Sequence, residues 1–267
     1  MGRGEEYQAV LAENLAQNKC PFCPGGSAMQ VLEGGKRLFN ENVPLYQGRV
    51  LLGAYNKFPL RKGLKLDLVD PNRPAHYVQV IYDHVLEVGW LSDLVCEELA
   101  ASFPAILGEQ ELTHWYCRQG KDFVRSGASI NHGHGHILCS EDGCEIFYGL
   151  YPGPEIAPTI ESFTVSLLSH QGNTVDLGQQ TWNIVEADSL PQGVECAFFI
   201  STSNPYVLEG TPWELWKELF QTVKLLDEHY QIPGGVLLYE LNADTRETLF
   251  YYFVVKENDC ARYVYRK

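Results

Sequence analysis

Apolar positions along this chain follow two different periods, and the change from one to the other outlines its elements. Between residues 90 and 107, Leu91, Leu94, Val95 and Leu99 fall along one face at helical spacing. Residues 212–230 carry a second and better marked helix, with Thr211 as its cap and Pro212 in its first turn. An amphipathic pattern also covers residues 5–17. Segments 48–55 and 77–82 are rich in β-branched and aromatic residues and predict strands, as do 114–118 and 129–139. In the second half, strands are predicted over 162–168, 195–201, 235–241 and 248–256, with the polar turn Asn242-Ala243-Asp244 between the last two.

Each half of the chain therefore ends strand–helix–strand–strand. No residue-level repeat accompanies this recurrence, which predicts an α+β protein of two related halves. The Pro- and Gly-rich stretch from Tyr151 to Pro158 is the natural seam.

The 267 residues are 45% hydrophobic, enough for one large or two small cores. A formal net charge of −14 argues against nucleic-acid or anionic-membrane partners, so a phosphate-bearing ligand needs a local positive site. No apolar run reaches membrane-spanning length and the start lacks a signal-peptide core, which predicts a cytoplasmic protein. Of the eight cysteines, only Cys20 and Cys23 make a close pair; the other six fit buried small apolar positions.

The densest chemistry lies in Gly127-Ala128-Ser129-Ile130-Asn131-His132-Gly133-His134-Gly135-His136. In an extended strand, alternate side chains share a face, so the three imidazoles project together. The glycines between them leave room for a backbone or a ligand to come close. Such a row can bind metal, attack phosphorus or move protons. Cys20-x-x-Cys23 by itself fits a redox pair, a structural pair or half a metal site. It follows a helix and precedes Pro24-Gly25-Gly26, which suits a metal knuckle better than a redox motif. His84, after the strand 77–82, and His132 are candidates for the two remaining ligands. His76, His114, His170 and His229 are read as ordinary histidines.

Taken together, these residues resemble the galactose-1-phosphate uridylyltransferase family of the histidine-triad superfamily. That family has an early Cys-x-x-Cys, a lone histidine after a strand, and then a Gly-x-Ser-x-x-His-x-His-x-Gln strand. Here Cys23 is followed by 60 residues, His84, 47 residues and His132. Asn56-Lys57-Phe58-Pro59 is similar to the family's Asn-Asp-Phe-Pro segment beside the nucleoside. The resemblance implies two tandem histidine-triad-like halves, 1–155 and 156–267, with antiparallel sheets and packed helices. It implies a structural Zn²⁺ on Cys20, Cys23, His84 and His132, His134 as nucleophile, and Ser129 holding the phosphate. It further implies a nucleotide or nucleotide-sugar substrate, a covalent nucleotidyl-histidine intermediate and a homodimer.

His136 stands where the family's transferases and phosphorylases carry glutamine, and histidine there is the habit of the histidine-triad hydrolases. A histidine can bind the phosphate and also exchange a proton near neutral pH. Backbone N–H groups around Gly127–Ser129 can receive phosphoryl oxygens, and Arg125 or Lys121 either add charge there or are solvated loop cations. Tyr46, Tyr55 and Phe58 are candidates for a base pocket or for core. After His229 the chain has no histidine, only Tyr239, Glu240, Tyr251 and Tyr252 where the family often has histidines. Three functions follow: a nucleotidyltransferase, a nucleotidyl hydrolase or dinucleoside polyphosphate phosphorylase, and a nucleotide-binding protein without turnover.

Overall fold

The computed structural model describes residues 20–23, 26, 28–31, 37–39, 44–56, 76–88, 91–108, 112–120, 130, 132–139, 145–151, 156–159, 174–178, 180–184, 194–202, 213–232, 234–241, 248–255 and 260–266. The predicted helix 5–17 and strand 162–168 lie outside them.

The described strands are β1 (29–31), β2 (37–39), β3 (46–47), β4 (51–55), β5 (76–81), β6 (112–120), β7 (134–139), β8 (145–151), β9 (156–159), β10 (174–177), β11 (180–184), β12 (194–202), β13 (234–241), β14 (248–255) and β15 (260–266). Two helices, α1 (93–107) and α2 (213–230), separate β5 from β6 and β12 from β13. Ten strands form one sheet in the order β10-β11-β12-β14-β13-β6-β7-β5-β4-β3. Its neighbouring strands are antiparallel throughout.

From either edge toward the middle the succession is the same: β3-β4-β5-β7-β6 on one side, β10-β11-β12-β14-β13 on the other. The two sides meet where β6 pairs with β13, from Gly120 opposite Gly234 to His114 opposite Glu240. The α+β class, the antiparallel sheets and the packed helices agree with expectation. The difference is that strands on both sides of residue 155 share one sheet, because β6 and β13 hydrogen-bond instead of ending as edges. The last strand, β15, pairs with β8 in a separate three-stranded sheet.

Helix α1 starts at Ser92, whose hydroxyl accepts from the Val95 N–H at 3.3 Å. It buries Val95, Cys96, Leu99, Phe103, Ile106 and Leu107 at helical spacing. Glu98 from the same face reaches the β3–β4 turn and accepts the N–H groups of Arg49, Val50 and Leu51 at 2.8, 2.9 and 3.0 Å. This carboxylate ties the helix to the sheet edge through charge-assisted bonds. Helix α2 buries Trp216, Leu219, Phe220, Val223 and Leu226. The helices meet through the stacked rings of Phe103 and Trp216, 5.7 Å apart, and the Lys217–Asp93 ion pair. Among the described residues, no helix is long and apolar enough to cross a membrane.

The sheet thus has two covered faces near β5 and β7. Leu51, Tyr77, Ile81, Trp115, Cys117 and Ile137 pack under the helices. Leu52, Ala54, Val78 and Val80, from the alternate positions, pack against Phe22, Ala28, Met29 and Phe39. The imidazole row belongs to this second face.

Candidate functional site

Strand β7 pairs with β5 so that His134 lies opposite Val80 and His136 opposite Val78. The strand begins at His134 rather than at 129, so the expected alternation holds for His134 and His136, whose ring centroids are 4.9 Å apart, while His132 sits in the bend just before it.

The glycines between them serve the opposite face. A Cβ on Gly133 would come within 2.6 Å of the Val85 carbonyl oxygen, and one on Gly135 within 2.7 Å of Trp115 Nε1. That indole donates to Gln79 Oε1 at 2.7 Å, and Gln79 Nε2 donates to Ser102 Oγ at 2.6 Å. So the space is taken by protein packed behind the strand. Gly135→Ala should cost about 1–3 kcal/mol, because a methyl group there displaces the indole from its buried partner. A urea midpoint equal to wild type would contradict this.

Cys20, Cys23, His84 and His132 converge, with one ligand atom from each lying within 4.8 Å of all the others. Cys20 Sγ is 3.2 Å from His132 Nδ1, Cys23 Sγ is 3.3 Å from His84 Nδ1, and Cys23 Sγ is 3.6 Å from His132 Nδ1. Two sulfurs and two imidazoles in this arrangement could hold a metal ion. His132 Nε2 donates to the Ile81 carbonyl at 2.5 Å, which leaves the Nδ1 lone pair facing the sulfurs. Burial pushes the His132 ring down, toward the neutral form a ligand needs. Burial and then Cys20 push the Cys23 thiol up to about 11, so a bound cation has to displace protons from this pair.

His134 is joined to the cluster in two ways. Its Nδ1–H donates to the carbonyl of His132 at 2.6 Å, which puts the lone pair on Nε2. Phe22, inside the Cys-x-x-Cys turn, meets both rings edge-on, with centroids 5.8 Å from His132 and 5.1 Å from His134.

A second group forms beside His136. His76 Nε2 lies 2.8 Å from His136 Nδ1, and Asn56 Nδ2 lies 3.1 Å from His76 Nε2 and 3.4 Å from His136 Nδ1. Asn56 was expected at the site; His76, read as an ordinary histidine, was not. Its only local signal is that it opens the strand that ends just before His84.

Burial, with the nearby His134 adding to it, pushes His76 down to about 3. The unfolded ring titrates near 6.5, so below that pH the unfolded chain binds a proton that the folded chain refuses. Stability therefore rises with pH across the interval from about 3 to 6.5 and is lost as pH falls through it. Relative to His76→Gln, the wild type should lose more stability between pH 7 and pH 5 in denaturant titrations. Parallel losses would remove His76 as the cause.

Ser129, Gly127, Arg125, Lys121, Lys57 and Phe58 lie outside the described residues. Tyr46 and Tyr55 pack against the core under the helices, and Tyr55 lies 5.1 Å from the ring of Tyr77. Both are half-buried on the face opposite the imidazoles, because their β3 and β4 positions alternate to that side.

No protein-family profile matches the chain, and no curated protein matches it. Among solved structures, the chain is similar to a DUF4931 family protein from Bacillus cereus, at 16% identity over 80% of this chain and 85% of the other, with a TM-score of 0.49. It is similar to a GalT-like protein from Arabidopsis thaliana, at 11% identity over 89% and 82%, with a TM-score of 0.49. It is also similar to a uridylyltransferase mutant, at 16% identity over 87% and 80%, with a TM-score of 0.47.

Proposed function

We propose that this protein is a nucleotidyltransferase that takes a nucleotidyl group from a nucleotide sugar or related phosphoanhydride onto His134. The observation that carries this reading is the 2.6 Å bond from His134 Nδ1–H to the His132 carbonyl. It makes Nε2 the basic nitrogen and holds the ring on the face shared with His136.

In the first step the Nε2 lone pair attacks the α-phosphorus, and the phosphoanhydride P–O bond breaks. The leaving phosphate keeps the electron pair. In the second step an acceptor oxygen attacks phosphorus, the P–N bond breaks, and His134 regains its lone pair. His136, Ser129 and backbone N–H groups from Gly127 onward neutralise the phosphoryl oxygens. Asn56, Lys57 and Phe58 bind the nucleoside side, and Arg125 adds charge near the phosphates.

Zn²⁺ suits the Cys20, Cys23, His84 and His132 set. Zn–S near 2.3 Å and Zn–N near 2.0–2.1 Å give tetrahedral S···N edges of about 3.5 Å, and the recorded contacts are 3.2, 3.3 and 3.6 Å. With four protein ligands the ion leaves no position for substrate, so its part is to hold His132 and through it His134. The repeated strand order supports two tandem histidine-triad-like halves, 1–155 and 156–267.

A hydrolase is the second reading, favoured by the histidine at position 136 and its bonds to His76 and Asn56. Product analysis separates the readings. A nucleotide sugar or dinucleoside polyphosphate is supplied alone, with a sugar phosphate, and with inorganic phosphate. A transferase moves the nucleotidyl group to the added acceptor; a hydrolase gives free nucleotide in all three mixtures. His136→Gln should raise transfer relative to hydrolysis several-fold, because glutamine offers no labile proton. Substrate that binds without turnover under all three conditions would leave only the nucleotide-binding function.

A further inference from the structure

His76 lies beside His136 and is buried, 7% exposed. We propose that His76, held by Asn56, is a positioning residue that accepts the Nδ1–H of His136 and keeps the Nε2 of His136 as the proton-exchanging nitrogen. The proposal rests on the nucleotidyl-transfer reading for its purpose, though not for its geometry.

Across the 2.8 Å contact between His76 Nε2 and His136 Nδ1, one nitrogen must donate and the other accept. The Asn56 Nδ2 group can only donate. It lies closer to His76 Nε2, at 3.1 Å, than to His136 Nδ1, at 3.4 Å. Two donors therefore converge on one acceptor, His76 Nε2, and the shared proton belongs to His136. Asn56 is itself fixed, since its backbone N–H donates to the His76 carbonyl at 2.8 Å.

His76 suits the acceptor's part because burial holds it neutral down to about pH 3. A cationic ring there would carry protons on both nitrogens and oppose a charge on His136. Among the described residues, the titratable groups whose rings lie against His136 are His134 on its own strand and His76 on β5; Tyr116 stands opposite it in the β6 register. From the knuckle side, Phe22 comes against His134 and brings no charge.

The consequence is directional. His136 takes a proton on Nε2 and becomes an imidazolium whose Nδ1–H is still accepted by His76. As the phosphoanhydride bond breaks, the Nε2 proton passes to the leaving oxygen. The lone pair left on Nε2 then accepts the proton of the incoming acceptor, a water or the protonated phosphate oxygen of a sugar phosphate. A neutral acceptor does here what a backbone carbonyl does for His134: it selects the tautomer and raises the basicity of the other nitrogen.

The test is ¹⁵N NMR of ring-labelled histidines in the metal-loaded protein, with His136 assigned by its absence in His136→Gln. The expected wild-type signal is a neutral His136 protonated on Nδ1. In His76→Leu the ring should turn to the Nε2–H form, and its titration midpoint should fall by about one pH unit. His76→Gln, whose amide oxygen accepts, should restore both. A wild-type His136 protonated on Nε2 overturns the proposal, as does a folded His76→Leu with unchanged tautomer and midpoint. The wild-type spectrum decides even if His76→Leu does not fold. Failure to trap an adduct on His134 would instead refute the transfer reading and leave the tautomer result standing.

Discussion

Replacing His134 with alanine should abolish nucleotidyl transfer, by about four orders of magnitude or more, while the metal content stays at the wild-type level. The size follows from the role: without a nucleophile the reaction loses its covalent route, and orientation and charge neutralisation alone remain. The metal readout follows from geometry. The His134 side chain is not among the four ligands, and its bond runs to the backbone carbonyl of His132. Removing it leaves His132 Nδ1 facing the sulfurs and Nε2 on Ile81. The lost ring contact with Phe22 will lower stability modestly, because the ring is 6% exposed and leaves a small void. Rapid quench and mass spectrometry of the wild type should find the nucleotidyl group on His134. Near-normal turnover by His134→Ala would end the covalent mechanism.

The second large effect is expected at the metal cluster. His84→Ala or Cys20→Ser should strip the bound metal and lower the unfolding temperature sharply, since structural zinc contributes to folding directly. Binding free energies of about 10–16 kcal/mol are typical of small zinc domains. His84→Ala is the cleaner of the two. His84 is exposed, so its loss removes a ligand without opening the core. His132, at 3% exposure, also carries the bond to Ile81, and its replacement would confuse the two effects. Elemental analysis finding one metal per chain in wild type and none in His84→Ala meets the expectation. Metal-free wild type with an unchanged melting curve in chelator defeats it. Activity should fall along with the metal, because Phe22 and the His132 carbonyl both connect the cluster to His134.

How much of this was legible beforehand depends on how local each feature is. The period of α2 is written in Trp216, Leu219, Phe220, Val223 and Leu226, and the structure has that helix over 213–230. The shared face of His134 and His136 follows from the two-residue period of a strand. Cys20, Cys23, His84 and His132 were recognisable as a set only through the resemblance to a known family, and they meet within 4.8 Å.

Other features depend on partners far away in the chain. Tyr55 and Asn56 are neighbours, yet Tyr55 packs against the core under the helices while Asn56 joins the imidazoles. The glycines of the histidine strand looked like room for a ligand; Val85 and Trp115 occupy that room from behind.

The sequence by itself determined α1, α2 and the alternation within β7, because backbone period acts over a few residues, while β1, β2, β8 to β11 and β15 lie where it predicted no strand. Only the tertiary structure decided which strands meet and in what register. Alternation says which face a side chain takes; it does not say what lies opposite, since a strand can slide by two residues and keep its faces. The packing of Val78 and Val80 against Leu52, Ala54 and Phe22 sets that register. It brings His76 across 60 residues of chain to within 2.8 Å of His136. The β6–β13 pairing is decided in the same way, by two strand edges that bury their backbone groups against each other and join both sides into one sheet.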